Sequence, residues 1–151
     1  YDHEGGIHTP MIAHWPKRIN AQGTTSNTLS HLVDIMPTIL DATNLTVPET
    51  SAGKKRIASD GRSILPSLLG QKQKDPALLF FHHARGKAIR TGNWKLVFNK
   101  DNKKQAQWEL YDLAIDPNEL IDLANRYPEK VTQLSKLWQE REKNQLERGR
   151  L

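Results

Sequence analysis

The residues most capable of chemistry in this sequence are a glutamate near its start, Glu4, and six histidines. Histidine and glutamate side chains can bind metal ions or transfer protons near neutral pH. His82 and His83 are adjacent, so on a strand they point to opposite faces and do not chelate one ion. Three histidines near the start of the chain have no carboxylate at ligand spacing except Glu4. The spacing therefore predicts no metal site built wholly from this chain.

Glu4 is the carboxylate of most interest, because it is followed by two glycines. Gly5 and Gly6 permit backbone angles that other residues adopt only at a cost, and they allow another segment or a ligand to come close. A structural role is predicted for Glu4, in which its carboxylate accepts hydrogen bonds from turn amides or fixes a neighbouring basic side chain. General acid–base catalysis is the alternative.

The composition favours an anionic partner. The 151 residues carry a formal charge of +5, with a pI near 9.5 and a mean hydropathy of −0.69. Two basic runs, residues 54–56 and 100–104, lie in loop-like sequence without interleaved aromatic residues, which argues against a nucleic-acid partner. No apolar run reaches the length of a membrane span, so no membrane partner is predicted. The sequence has no cysteine, which excludes disulfides, thiolate metal sites and a cysteine nucleophile within it.

Three elements are predicted in the first half of the chain. The apolar run Met11–Ala13 is typical of a buried strand and is ended by Trp15-Pro16. Apolar residues at three- and four-residue spacing predict a helix over roughly Ser30–Ala42, kinked or restarted at Pro37. The stretch Asp60–Gly70 predicts a turn and a short helix that ends at its final glycine.

The second half is predicted to contain four antiparallel strands and a long helix. The strands are Leu78–His82, Lys87–Arg90, Trp94–Phe98 and Trp108–Leu113. In the third strand apolar residues alternate with others such as Lys95, so one face of the sheet is expected to be core. A helical turn over Leu120–Leu123, capped by Asp116–Glu119, is also predicted.

Pro128 is expected to open the last helix at its first position. Val131, Leu134 and Trp138 recur on one side of this helix and predict the stripe that lies on the sheet. Four antiparallel strands with one long helix make a small α+β pair of layers.

Four blocks of the sequence, in order, resemble the sulfatase family. The first is Glu4-Gly5-Gly6 with Pro10, an apolar strand and Trp15-Pro16; the others are His31 to Asp41, Asp60 to Gly70, and Ala88 to Ala124. In the last block the strings Trp94-Lys95-Leu96-Val97 and Glu109-Leu110-Tyr111-Asp112-Leu113 match the family's C-terminal subdomain. Together the blocks cover nearly the whole chain.

The resemblance implies an alkaline-phosphatase-like α/β tail joined to an α+β C-terminal subdomain, with a four-stranded antiparallel sheet packed against a long C-terminal helix. It places residues 1–70 in the last part of the catalytic domain and residues 71–151 in the subdomain. It further implies a sulfuric ester hydrolase with calcium and a formylglycine nucleophile. Because neither the formylglycine motif nor the calcium ligands occur in this sequence, we expect them in a missing N-terminal catalytic portion. The chain alone is expected to be inactive.

The resemblance also suggests which residues meet a substrate. The active-site lysine of the family would lie just before Tyr1, and Glu4 could hold its ammonium in place as a supporting residue. His83 matches the histidine of a substrate-facing hairpin motif, although His82 and Arg85 depart from that motif. Arg85 and His8 are further substrate-binding candidates. Arg85 carries a guanidinium, which offers a planar donor fork to sulfate.

The expected substrate is a sulfated carbohydrate or aryl sulfate, and the chain would shape the rim of the pocket. Two alternatives stay open: a non-catalytic module that binds anions or glycans, and a phospho-ester hydrolase or transferase of the same superfamily. A periplasmic or secreted location is the family-based expectation.

Overall fold

The computed structural model describes residues 2–20, 23–84, 86–99 and 106–149. The chain forms two compact units, one of Tyr1–Pro10 together with Ala77–Leu151 and the other of Met11–Pro76. The predicted division into a catalytic-domain part, 1–70, and a subdomain, 71–151, stays a prediction about the longer protein.

Helices and strands follow the predicted order closely in the second half. The helices are α1 (Glu4–Ile7), a 3-10 helix (Leu32–Asp34), α2 (Ile35–Thr43), α3 (Leu65–Leu68) and α4 (Pro128–Arg148). The strands are β1 (Thr50–Ser51), β2 (Lys54–Lys55), β3 (Leu79–His83), β4 (Gly86–Thr91), β5 (Trp94–Asn99) and β6 (Gln107–Asp112). Within the described ranges, no helix has the length and apolar character that a membrane span requires.

Strands β3 to β6 form one antiparallel sheet in the order β3-β4-β5-β6. Thr91 pairs with Trp94, so the β4–β5 turn contains two residues, and Gly92 in that turn has a φ of +55°. A positive φ favours glycine there, because a Cβ is disfavoured in the left-handed region. The predicted four-stranded antiparallel sheet and its long C-terminal helix are confirmed.

One face of this sheet packs against α4, and we refer to it as the helix face. Its core consists of Ile89, Leu96, Leu110, Leu134 and Trp138. The Trp138 ring stacks on Phe80 with a centroid distance of 5.4 Å, and its indole N–H donates to the Phe81 carbonyl oxygen at 3.1 Å. These residues are inward-facing side chains of the adjacent strands β4, β5 and β6 and of one stripe of α4, as the sequence predicts.

The opposite face, which we call the charged face, differs from the expectation. Arg90, Lys95 and Tyr111 lie side by side across β4, β5 and β6 in the strand register. Lys95 is as fully buried as Leu96, its neighbour on the helix face. The prediction that one face of the sheet is core is therefore incomplete, because a second segment of the chain covers the charged face.

The unit Met11–Pro76 is organised around Asp34, which is buried. Its carboxylate accepts hydrogen bonds from the backbone N–H of His31 at 2.9 Å and of Arg62 at 2.8 Å. Its own carbonyl oxygen accepts from the Thr38 hydroxyl at 2.6 Å, and that hydroxyl accepts from the Ile64 N–H at 3.0 Å. These bonds fix the start of α2 to the loop before α3.

Two predictions for this unit need correction. Met11–Ala13 is not a buried strand: Ile12 is 94% exposed, and the described residues offer this run no partner strand. An unpaired strand leaves its backbone groups unsatisfied and is not stable alone. The helix predicted over Ser30–Ala42 starts later, at Ile35, after a 3-10 turn. Pro37 lies in its first turn, where a missing N–H costs no helical hydrogen bond.

A third correction concerns residues 116–123. The Asp116 carboxylate accepts from the backbone N–H groups of Leu120 and Ile121, at 2.8 and 2.9 Å, as a capping residue would. No helix follows, because Glu119 adopts a φ of +56°. This left-handed conformation is incompatible with continuing a right-handed helix. Glu119 is thereby turned toward the charged face of the sheet.

Candidate functional site

The N-terminal segment, residues 2–10, covers the charged face of the sheet. Its short helix α1 is closed by hydrogen bonds from the Gly6 N–H to the His3 carbonyl oxygen and from the His8 N–H to the Glu4 carbonyl oxygen, both at 2.8 Å. The two glycines at its centre are exposed, whereas its charged side chains face the sheet. The segment is thus held by polar contacts on a face that also carries a small buried cluster of Ala88, Val97 and Tyr111.

Lys95 lies at the centre of these contacts. Its ammonium donates a hydrogen bond to Glu4 Oε1 at 2.8 Å and lies 2.9 Å from Glu119 Oε1. The side chain of Lys95 is 0% exposed and that of Glu119 is 2% exposed. An ammonium at such a depth is tolerated only when it is paired. Two carboxylates from different segments therefore meet on one buried cation.

Glu4 and Glu119 are also joined directly. The backbone N–H of Glu4 donates to Glu119 Oε2 at 2.5 Å. The Arg90 guanidinium lies 4.0 Å from Glu4 Oε2, which brings a second positive charge to the pair of carboxylates. His8 Nδ1 approaches the same oxygen to 3.5 Å, four residues along the segment. Glu4 is thus one of the points at which the segment and the sheet are linked.

A second polar cluster lies beside the first on the charged face. His3 Nε2 is 2.9 Å from Glu109 Oε2, which also accepts a hydrogen bond from the Tyr111 hydroxyl at 3.0 Å. Burial, the hydrogen bond to Glu109 and the negative charges around it raise the pKa of Tyr111 well above its ordinary value. Tyr111 therefore stays protonated and serves as a donor.

Asp2 brings the segment to the turn between β3 and β4. Its side chain lies over Gly86, where an added Cβ would overlap Asp2 Oδ2. Asp2 is buried, and Oδ2 has no hydrogen-bond partner among the described residues. Only glycine fits at this position without displacing the carboxylate. His83 pairs with Gly86 in the strand register, so Asp2 lies next to the hairpin that carries His83.

The structure brings some of the predicted site residues together. Glu4 lies against Lys95 and within reach of His8, and His83 stands exposed at the end of β3. Side chains alternate along a strand, and His82 contacts Trp138 on the helix face, so His83 points to the charged face. Arg85 lies outside the described residues. The substrate contacts of His83, His8 and Arg85, and the supporting role of Glu4 toward an upstream lysine, remain predictions.

The described residues do not fit a calcium or other metal centre. No group of three or more His, Cys, Asp or Glu side chains lies in a metal-binding arrangement in the ranges given above. The carboxylates of Glu4 and Glu119 are already occupied by the Lys95 ammonium. A hard cation such as calcium requires six to eight oxygen ligands, which this cluster does not supply.

Sequence reasoning did not identify Lys95, Glu119 or Asp2 as members of this site. Lys95 follows the alternating pattern of an outward-facing strand residue, and Glu119 has the appearance of a turn residue. A possible signal is a lysine that lies between core residues in a strand. If the face of the sheet that carries this lysine is covered, its ammonium pairs with a carboxylate. Nothing in the local pattern indicates that a segment about 90 positions away, residues 2–10, covers that face.

Comparison with known proteins identifies relatives over most of the chain. A family model described as "N-sulphoglucosamine sulphohydrolase, C-terminal" matches residues 1–147. Arylsulfatase K of Gallus gallus is 32% identical in an alignment of 149 residues, and this alignment covers 89% of this chain and 26% of the relative. N-acetylglucosamine-6-O-sulfatase of Bacteroides thetaiotaomicron is 31% identical over 150 residues, with 89% and 25% covered.

Solved structures agree with these relatives. The structure of a protein in complex with its substrate D-glucosamine-2-N,6-O-disulfate matches with a TM-score of 0.55 and 28% identity, over 85% of this chain and 27% of that chain. Sulfatases thus share the fold of this chain, an alkaline-phosphatase-like tail with the four-stranded sheet and C-terminal helix described above. The chain spans about a quarter of the length of the curated relatives it matches.

Proposed function

The chain belongs to the N-sulphoglucosamine sulphohydrolase C-terminal family, and from this membership we propose that it forms the C-terminal part of a sulfatase that hydrolyses sulfate esters of sugars. The observation that carries the proposal is the match of the family model to residues 1–147. Two sulfatases at 31% and 32% identity support it. In this proposal the chain does not perform the chemistry itself but completes the substrate pocket.

The proposed substrate is a sulfated amino sugar. Relatives named for N-acetylglucosamine 6-sulfate and for D-glucosamine-2-N,6-O-disulfate support this class. The positive charge of the chain, +5, would attract such a polyanion. The proposed contacts are His83 at the end of β3, His8 at the end of α1, and Arg85, which follows His83 by two positions in the sequence. Arylsulfatase K among the relatives keeps an aryl sulfate as the alternative substrate.

Calcium and formylglycine belong, in this proposal, to the part of the enzyme that precedes this chain. A cation there would stabilise the negative charge that develops on sulfate oxygens in the transition state. The described residues do something different. Lys95 and Glu119 hold Glu4, and with it the N-terminal segment that the family resemblance places directly after the sulfate-contacting lysine.

The test is sulfate release by the longer gene product that carries these 151 residues. D-glucosamine-2-N,6-O-disulfate is the substrate, calcium is present, and p-nitrophenyl phosphate is the matched phospho-ester. The proposal predicts release of inorganic sulfate from the 6-O ester, loss of this release after chelation of calcium, and slow or no release of phosphate. The 151-residue chain alone should release no sulfate.

Each alternative has its own outcome in this experiment. Binding of the sulfated sugar without sulfate release, with calcium present, would support the non-catalytic binding module. Faster phosphate than sulfate release would support a phospho-ester hydrolase of the same superfamily. Either result contradicts the proposed function.

A further inference from the structure

We propose that Lys95 is a positioning residue, which fixes the N-terminal segment on the charged face of the sheet through an ion-paired bridge to Glu4 and Glu119. The proposal starts from burial. Lys95 is the second residue of β5 and its side chain is 0% exposed. A lysine in a strand ordinarily extends its ammonium to water, so complete burial requires partners that remain in place.

Both partners come from outside the sheet. Glu4 belongs to the N-terminal segment, 91 positions before Lys95, and Glu119 belongs to the loop after β6. The Lys95 ammonium lies 2.8 Å from one carboxylate and 2.9 Å from the other. Without this cation, the Glu119 carboxylate, which is 2% exposed, and the Glu4 carboxylate, which is 13% exposed, would face each other, and like charges repel. Lys95 is therefore the group that allows the two segments to meet.

The backbone of both segments depends on this arrangement. Glu119 adopts a φ of +56°, which is disfavoured for a residue with a Cβ and persists only where contacts fix it. Its other carboxylate oxygen accepts the backbone N–H of Glu4, the first residue of α1. The bridge thus fixes main chain as well as side chains, and it reaches the exact position where α1 begins.

The consequence for the proposed enzyme concerns the residues on either side of Glu4. His8 Nδ1 lies 3.5 Å from Glu4 Oε2, and Asp2 lies over Gly86 beside the His83 hairpin. Loosening Glu4 would release both ends of the segment from the pocket rim. This consequence rests on the proposed function, whereas the bridge itself does not.

The test is hydrogen–deuterium exchange of the full 151-residue chain, resolved by residue, for wild type and Lys95→Met. The methionine has a similar length without the charge. Exchange of the amides of residues 4–8 should accelerate at least about tenfold, whereas amides of Ile89 and Leu96 on the helix face should change less than about twofold. A residue that contributed only to global stability would accelerate all protected amides together.

Two further variants sharpen the result. Glu119→Gln keeps an acceptor for the Glu4 N–H but removes one charge, and it should produce a smaller acceleration in the same residues. Lys143→Met removes an exposed lysine of α4 and should leave residues 4–8 unchanged. Unchanged exchange of residues 4–8 in Lys95→Met, or equal acceleration in the sheet and in α4, would overturn the proposal.

Sulfate release by the longer gene product tests the catalytic consequence. Lys95→Met should lower kcat/KM at least about tenfold relative to wild type, and Lys143→Met should leave it unchanged. If wild type releases no sulfate, the proposed function fails and the exchange result stands by itself. If wild type is active and Lys95→Met equals it, the bridge does not position the site and this part of the proposal is wrong.

Discussion

The two faces of the four-stranded sheet are buried in different ways, one by apolar packing alone and the other by ion pairs beside a small apolar cluster. The helix face places Ile89, Leu96 and Leu110 under Trp138 of α4, where apolar contact stabilises the pair of layers. The charged face buries Lys95 to the same extent with two carboxylates and a segment from the start of the chain. Apolar packing tolerates a range of shapes, whereas a buried ion pair requires particular partners at particular distances.

This difference indicates what each face does. The helix face stabilises the subdomain, and any apolar stripe of suitable volume would serve. The charged face selects one segment and fixes its position, since few other sequences could present a carboxylate and an N–H to Lys95 and Glu119. A segment that borders a pocket gains precision from such contacts. Substitutions on the two faces distinguish the two kinds of burial.

The largest effect is expected on the helix face. Trp138→Ala removes a ring that is 1% exposed and contacts Phe80 and His82, so the free energy of unfolding should fall by about 3–5 kcal/mol. Thermal and urea denaturation measure this change. Leu146→Ala on the same helix is the control: its side chain is 58% exposed, and the cost should stay within about 0.5 kcal/mol. Similar losses for the two variants would contradict the assigned core.

On the charged face, the sharpest prediction is a coupling energy. In a double-mutant cycle of Lys95→Met and Glu119→Gln, the double variant should be more stable than the sum of the single losses predicts, by about 1–3 kcal/mol. The reason is that Lys95→Met leaves two carboxylates without their shared cation, and Glu119→Gln removes one of those two negative charges. Additive losses in denaturation experiments would show that the two groups do not form a buried pair.

Alkaline pH should weaken the charged face through Tyr111. Its pKa is raised in the folded chain, so above about pH 10 the unfolded chain releases a proton that the folded chain retains. Stability is therefore lost as pH rises, by at most about 1.4 kcal/mol per pH unit from this group. Tyr111→Phe should show a shallower decline between about pH 10 and 11.5 in chemical denaturation. Parallel declines for wild type and variant would rule out this origin.

The smallest effect is expected where the segment meets the β3–β4 turn. Gly86→Ala would place a Cβ against Asp2 Oδ2, and the end of that side chain can shift, so a loss of about 1 kcal/mol is expected. Asp2→Ala in the same chain should recover most of that loss, because the small side chain leaves room for the new methyl group. If the double variant is as unstable as Gly86→Ala alone, the strain lies elsewhere in the turn.

The sequence predicts the helix face well because its signals are local. Strand β5 alternates apolar and other residues at a period of two, and α4 carries Leu134 and Trp138 on one stripe after an opening proline. The described strands agree with the predicted ones to within about one residue at most ends. The prediction of a strand at Met11–Ala13 failed because an apolar run indicates burial but does not indicate which segment of the chain buries it.

The charged face could not be predicted because its contacts are distant in sequence. The alternation of side chains along β5 predicts that Lys95 points away from the helix face. Without a covering segment, the charged face would be exposed to solvent. Glu4 was expected to hold a basic side chain, yet no pattern indicated that Lys95 would be that side chain. Glu119 reaches the site through a left-handed backbone conformation, which no propensity favours for glutamate.

The central claim is that the charged face borders the substrate pocket of a sulfatase, and two adjacent histidines of β3 test it most directly. His83 points to the charged face, whereas His82 contacts Trp138 on the helix face and lies 3.4 Å from Glu142. The measurement is KM for sulfate release from D-glucosamine-2-N,6-O-disulfate by the longer gene product. His83→Ala should raise KM roughly tenfold, which is about 1.4 kcal/mol of binding, and His82→Ala should lower thermal stability with KM unchanged. An unchanged KM for His83→Ala, or an equal rise for both variants, would contradict the account.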